Sequence, residues 1–240
     1  VPFLRGYGIE PLLIWNEDRS KANLWATIGP RNGKGMSLSG HTDTVPVDGQ
    51  KWNTDPFALT ERNSFLYGRG SCDMKGFLAS VLALVPRLVE SPLKRPIHIA
   101  FSHDEELGCI GVRSLIRYLR EHPPQAACCI VGEPTLMQPV VGHKGGRSYR
   151  VRVTGREAHS SLAPMAVNAI SYAAELIAFL NTIAESMRAG PNDPLYDVTH
   201  STLSVGLING GSAINIVPRH CEFTFEFRYL LGVDPEAIMA

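Results

Sequence analysis

Between residues 12 and 141, short apolar strand-like runs alternate with helical ones, and several of the strand-like runs end in an ionisable side chain. The strand-like stretches are 12–15, 24–28, 36–39, 97–102 and 128–131, and the helical ones are about 75–90 and 111–121, the second stopped by Pro123 and Pro124. Such alternation is the pattern of an α/β layered domain with helices packed on a sheet. Open α/β sheets bind ligands outside the carboxyl ends of their strands. His41, Asp73, Glu105, Glu106 and Glu133 all follow such strands, so one crevice can collect them.

Beyond about residue 144 the rhythm changes to a strand over 148–154, a long helix over about 166–187, strands over 202–209 and 220–229, and the start of a helix over 234–240. The order β-α-β-β-α is that of a split βαβ, or ferredoxin-like, unit without its final strand. Two domains are therefore expected, 1–144 and 145–240. The 240 residues are 44% hydrophobic and 19% charged, enough for a sizeable core, and 23 basic side chains balance 23 acidic ones. No global field draws the chain to nucleic acid or an anionic membrane, and no apolar run approaches the ~20 residues that span a bilayer. Five scattered cysteines without a C-x-x-C spacing argue against a disulfide framework or a thiolate zinc site and point to a reducing cytoplasm.

Four short segments carry the chemistry. In His41-Thr42-Asp43, residues i and i+2 of an extended chain face the same way, so the Asp43 carboxylate can accept a ring N–H of His41 and orient it as a metal ligand. Asp73 sits in the glycine-bracketed turn Gly70-Ser71-Cys72-Asp73-Met74-Lys75-Gly76 before an apolar helix, where it reads either as a helix cap or as a carboxylate aimed back over the sheet to bridge two metals. The run His103-Asp104-Glu105-Glu106 reads as a solvated loop or as two glutamates sharing labour, one on metal and one carrying a proton. Glu133 follows a further apolar strand in Gly132-Glu133-Pro134-Thr135.

Together, and in this order, these segments resemble the zinc-dependent family of acetylornithine deacetylase, succinyl-diaminopimelate desuccinylase, aminoacylase and glutamate carboxypeptidase. The resemblance implies a three-layer αβα zinc-peptidase-like catalytic domain and a ferredoxin-like lid that dimerises. It implies two zinc ions, replaceable by cobalt, with His41, Asp73 and Glu133 on one and Asp73 and Glu106 on the other. Glu105 would be the general base, Asp43 the partner that orients His41, and the Asp73–Met74 peptide would be cis. In the lid, His159 within Gly155-Arg156-Glu157-Ala158-His159-Ser160-Ser161 would reach a partner subunit's site to stabilise the oxyanion. Asn215 and Arg228 would contact the substrate carboxylate, with Lys144 at the hinge. Imidazole and carboxylate ligands without thiolate suit zinc, cobalt or manganese.

The flanking residues, Gly40-His41-Thr42-Asp43-Thr44-Val45-Pro46 with Trp52, Asp73-Met74-Lys75-Gly76-Phe77 and Gly142-His143-Lys144-Gly145, look most like the acetylornithine deacetylase branch. That implies hydrolysis of N2-acetylornithine to ornithine and acetate by a cytoplasmic homodimer. The alternatives are a desuccinylase or dipeptidase with the same ligands, and a non-catalytic dimerisation module. A thiol hydrolase on Cys72 lacks an activating His in its motif. The family carries a further His ligand and more sheet after the lid, and a first helix before it. On that reading this chain, starting at Val1 without Met, is short of one ligand for the second metal and of its first helix, has unpaired sheet edges, and is weakly active or inactive unless a ligand such as His143 or His103 substitutes.

Overall fold

The computed structural model describes residues 1–124 and 126–239 and divides into two compact units, Val1–Gln138 and Pro139–Ala240. The division falls earlier than the expected Lys144–Gly145 boundary. Lys144 is fastened within the second unit, its ammonium donating to the His200 carbonyl at 2.5 Å and lying over the Tyr196 ring.

The first unit is built on a five-stranded sheet of β1 (Leu12–Trp15), β2 (Ala22–Ile28), β3 (Gly35–His41), β6 (Ile97–Ser102) and β7 (Ala126–Val131), in the order β1-β2-β6-β3-β7. β3 runs parallel to β6 and β7, and β1 and β2 are antiparallel additions. The centre is β6, whose Ile-His-Ile-Ala-Phe-Ser run is buried at every position after Ile97, as expected of a strand covered on both faces. The strands at the two edges are β1 and β7, and every residue of β7 is exposed.

Helix α2 (Gly76–Glu90) lays Leu78, Val81 and Val85 against Ala26, Ile28, Ile99 and Phe101. Their spacing places them on one helical face. Helix α3 (Val112–Glu121) buries Leu115. The expected lack of a first helix needs correction: Pro2–Gly6 forms a five-residue helix, α1, with Pro2 in its first turn, where the missing N–H leaves no helix bond unmade. The hairpin β4 (Thr60–Arg62) and β5 (Phe65–Tyr67) was not foreseen; its turn residues Asn63 and Ser64 both have positive φ.

The second unit has a three-stranded antiparallel sheet, order β8-β10-β9, from β8 (Gly145–Thr154), β9 (Thr202–Gly210) and β10 (His220–Tyr229). Helix α4 (Ala169–Arg188) packs on it, and α5 (Pro235–Met239) follows β10. This is the split βαβ arrangement, with β10 between the two strands that α4 connects. Strict alternation in β10 drives it: Cys221, Phe223, Phe225 and Phe227 are buried against Ala169, Ala173, Leu180 and Met187. Tyr149 stacks on Phe225 at 5.3 Å, and Phe225 meets Phe227 edge-on at 5.7 Å. The helix expected from residue 166 begins at Ala169, because 160–165 is a 3-10 turn containing Pro164 and Asn168 caps α4 by accepting from the Ile170 and Ser171 amides. The last expected helix extends to Ala240, which lies outside the described residues.

Candidate metal centre

His41 closes β3 and is 2% exposed. Its Nδ1 stands 3.1 Å from the Asp43 backbone carbonyl, which can only accept, so Nδ1 carries a hydrogen and donates it. Nε2 then faces three carboxylates: Asp73 Oδ1 at 3.0 Å, Glu133 Oε1 at 3.8 Å and Glu105 Oε2 at 3.9 Å.

The sequence expectation for Asp43 is corrected in detail. Its carboxylate lies 3.5 Å from the His41 ring, while the backbone carbonyl makes the ring's hydrogen bond. The carboxylate accepts instead from the backbone N–H groups of Glu105 at 3.1 Å and Glu106 at 3.0 Å, holding the loop that carries both glutamates.

Asp73 is no helix cap. Its backbone is non-helical in the irregular turn Ser71–Lys75, its peptide to Met74 is cis, and its side chain turns to His41. The turn can come this close because Gly40 has no side chain: a Cβ there would stand 2.7 Å from Met74 Cε and 2.8 Å from Leu78 Cδ2. At the end of β7, a Cβ on Gly132 would meet the Phe77 ring at 2.0 Å, so that glycine allows α2 to pack beside Glu133.

The acidic run after β6 is not a uniform solvated loop. His103 and Asp104 are buried, joined to each other at 2.9 Å, and Asp104 pairs with Lys21 at 2.5 Å. Glu105 turns the other way, toward His41. One oxygen of Glu105 accepts from the Cys109 thiol at 3.3 Å, while the other faces His41 Nε2. Lys21 and Cys109 were not singled out from the sequence; the Lys21 contact crosses 83 positions and has no local signal.

Like charges crowd this site. Burial and then the charge of Asp73 push Glu133 up from the usual carboxylate range, and burial followed by Asp73 and Glu105 does the same for Glu106. For His41, burial opposes protonation, but the Asp73 hydrogen bond and the charges of Glu133, Glu105 and Asp43 outweigh it and raise the ring above its ordinary value. Without a cation, the Nε2 lone pair and the facing carboxylates repel unless protons are taken up by the ring or by a carboxyl group. With one, the Nε2 lone pair and the carboxylates share the positive charge directly. His41, Asp73 and Glu133 each offer a ligand atom within 4.8 Å of the others, so the donor set fits a divalent metal. Glu106 stands outside that group of three, as do His103 and His143, the latter exposed and bonded to the Lys144 carbonyl.

These shifts set a pH dependence. Groups whose folded pKa is raised hold protons that a metal must displace, so metal uptake releases protons and weakens as pH falls through their raised values. Equally, the metal-free fold loses their stabilising contribution as pH rises. Zinc should therefore raise the melting temperature more at pH 7.5 than at pH 5, and titration calorimetry in buffers of differing ionisation enthalpy should register proton release. An equal zinc effect at both pH values would contradict the clustering.

In the second unit, His159 opens the 3-10 turn with Nδ1 accepting from the Ser161 amide at 3.3 Å, and the exposed Asn215 lies beside it, its carbonyl accepting from the Ser160 amide at 2.9 Å. Arg228 is exposed and paired to Glu226 at 3.2 Å, at the opposite end of β10, close to Lys144. The β10 register from His220 to Arg228 separates the His159–Asn215 end from the Arg228–Lys144 end by roughly 26 Å along the strand. The four side chains do not form one cluster within the unit.

Residues 37–224 match Peptidase family M20/M25/M40, a span that holds every site residue expected from the sequence except Arg228. The chain belongs to this family. Among curated M20 relatives it is 40% identical over 217 residues to acetylornithine deacetylase of Proteus mirabilis (strain HI4320), covering 90% of this chain and 55% of that protein. It is 38% identical over 212 residues to that of Pasteurella multocida (strain Pm70), covering 88% and 54%. The chain thus spans about half the length of the curated relatives it matches.

The M20 metallo-carboxypeptidase Sso-CP2 of Sulfolobus solfataricus shares the fold with a TM-score of 0.80 at 20% identity, over 99% of this chain and 66% of that one. A further fold neighbour, Bacillus subtilis YXEP, is a dinuclear metal binding peptidase of the M20 family (TM-score 0.51, 16% identity, 99% and 58% covered). The family is metal-dependent, and the His41–Asp73–Glu133 group is this chain's candidate metal site.

Proposed function

We propose that this chain carries the catalytic groups of a zinc-dependent amidohydrolase that cleaves N2-acetylornithine to acetate and ornithine. The observation that carries the reading is the convergence of His41, Asp73, Glu133 and Glu105 at the strand ends of a chain 40% identical to acetylornithine deacetylases. His41 Nε2 and the Asp73 and Glu133 carboxylates would hold one zinc, and Asp73 with Glu106 a second. Bound zinc lowers the pKa of water toward neutrality and polarises a carbonyl oxygen.

The chain's own groups account for the proton path. Glu105 presents one carboxylate oxygen toward His41 while Cys109 holds the other. It accepts the proton of the attacking water as the new C–O bond forms at the acetyl carbon. It returns that proton to the amine nitrogen as the C–N bond breaks. Asp43 keeps Glu105 at that station through the two backbone amides.

In the lid we assign oxyanion stabilisation to His159 and substrate carboxylate contacts to Asn215, Arg228 and Lys144. Acetylornithine is far shorter than the roughly 26 Å between the two ends of β10. Groups at both ends can serve one substrate only if they come from two copies of the chain, which supports a homodimer with shared sites formed through this unit. Five unpaired cysteines support a cytoplasmic location, and no helix among the described residues is long and apolar enough to cross a membrane.

A panel of N2-acetylornithine, N-succinyl-diaminopimelate and a dipeptide tests the assignment with zinc present. The expected result is a kcat/KM at least about tenfold higher for acetylornithine, a difference of ~1.4 kcal/mol in transition-state binding. A preference for the succinyl substrate would move the protein to the desuccinylase branch.

A further inference from the structure

Asn23 lies in β2, fully buried, 80 positions before the start of the loop it binds. Its side-chain oxygen accepts the backbone N–H of His103 at 3.3 Å, and its amide donates to the Gly111 carbonyl at 2.9 Å and the Ser114 hydroxyl at 2.8 Å. Both amide hydrogens and one lone pair of the oxygen are thus engaged. His103 and Gly111 are the two ends of the loop that carries Glu105 and Glu106, so one side chain ties both ends.

Those ends touch: a Cβ on Gly111 would stand 1.8 Å from the His103 carbonyl oxygen. Within the loop the amides of Gly108 and Cys109 donate to the Glu105 carbonyl at 2.9 and 2.8 Å, and that of Ile110 to the Asp104 carbonyl at 3.1 Å. Lys21, two positions before Asn23, grips Asp104 from the same side, and Asp43 grips the Glu105 and Glu106 amides from the other. The loop is held at three places, and among the described residues only the Asn23 side chain holds both of its ends. By the alternation of a strand, Asn23 points to the face of β2 opposite Ala26 and Ile28, which join the apolar cluster.

We propose that Asn23 is a positioning residue for Glu105 and Glu106: by closing the 103–111 loop it fixes where the Glu105 carboxylate stands relative to His41. The catalytic consequence rests on the reading of Glu105 as the proton acceptor. The structural consequence, order at the Glu105 and Glu106 amides, does not. A misplacement of about 1 Å in a catalytic group lowers turnover by as much as about 10²-fold.

The test compares the protein with its Asn23→Ala and Asn23→Asp variants. Asp keeps the shape and the acceptor for His103 but loses both donations, and it serves if the Ala variant does not fold. Three quantities are read: amide hydrogen exchange over 103–111, zinc content, and kcat and KM for N2-acetylornithine. The proposal expects exchange at Glu105 and Glu106 to accelerate about tenfold or more while β6 and β10 keep their rates. It expects kcat to fall about 10- to 100-fold, with KM within about threefold and zinc retained. Unchanged exchange at those two amides in a folded variant overturns it, as does acceleration spread evenly over the first unit, which would mark plain destabilisation. Should the unaltered protein hydrolyse no N-acyl amino acid, the functional reading fails, and the exchange pattern alone decides whether Asn23 holds the loop.

Discussion

Replacing Glu105 by Gln is expected to abolish hydrolysis of N2-acetylornithine and to leave metal uptake intact. Gln keeps the length of Glu, an acceptor for the Cys109 thiol and the backbone amide that Asp43 holds, so the loop stays in place. It lacks a carboxylate that can take and return a proton, a function worth about 10²- to 10⁴-fold in rate. Because Glu105 stands outside the His41–Asp73–Glu133 group, zinc per chain should match that of the unaltered protein. Retained turnover would remove Glu105 from the mechanism, and lost zinc would make it a ligand.

The second large effect is expected at Asp73. Its carboxylate is the group closest to His41 Nε2, at 3.0 Å, and the side chain is half-exposed, so truncation opens no cavity in the core. Loss of a residue that merely orients a ligand weakens metal binding about 10- to 100-fold. Loss of a carboxylate proposed to serve two ions should do at least that, and turnover should vanish with it. Asp73 caps no helix, so Asp73→Ala should melt, metal-free, close to the metal-free parent. Chelator competition for zinc measures the affinity, and a Kd within threefold of the parent's would contradict the assignment.

The strands and long helices were legible because their periodicities are strong: the 97–102 run is apolar throughout, and 220–229 alternates without a break. The site's position was legible for a topological reason, since His41, Glu105 and Glu133 each follow one of the three neighbouring parallel strands β3, β6 and β7, on the same side of the sheet. What remained hidden lies in contacts between distant residues. Nothing local to Lys21 or Asn23 announces a partner some 80 to 90 positions away. Nor could spacing decide whether Asp43 meets the His41 ring through its carboxylate or its carbonyl, because a slight turn of the chain after β3 exchanges the two. The 60–67 hairpin escaped notice because Asn63-Ser64 lacks the glycine that usually marks a turn with positive φ at both positions. Asp104 reads as one more surface charge until Lys21 and His103 are seen on either side of it.

The most direct test of the central claim is to strip the purified protein with a chelator, titrate zinc back, and follow bound metal and acetylornithine hydrolysis in the same samples. Turnover should disappear with the metal and return with it, in step with occupancy of the His41–Asp73–Glu133 site. Turnover that survives complete removal of metal would contradict a metal-centred hydrolase at these residues.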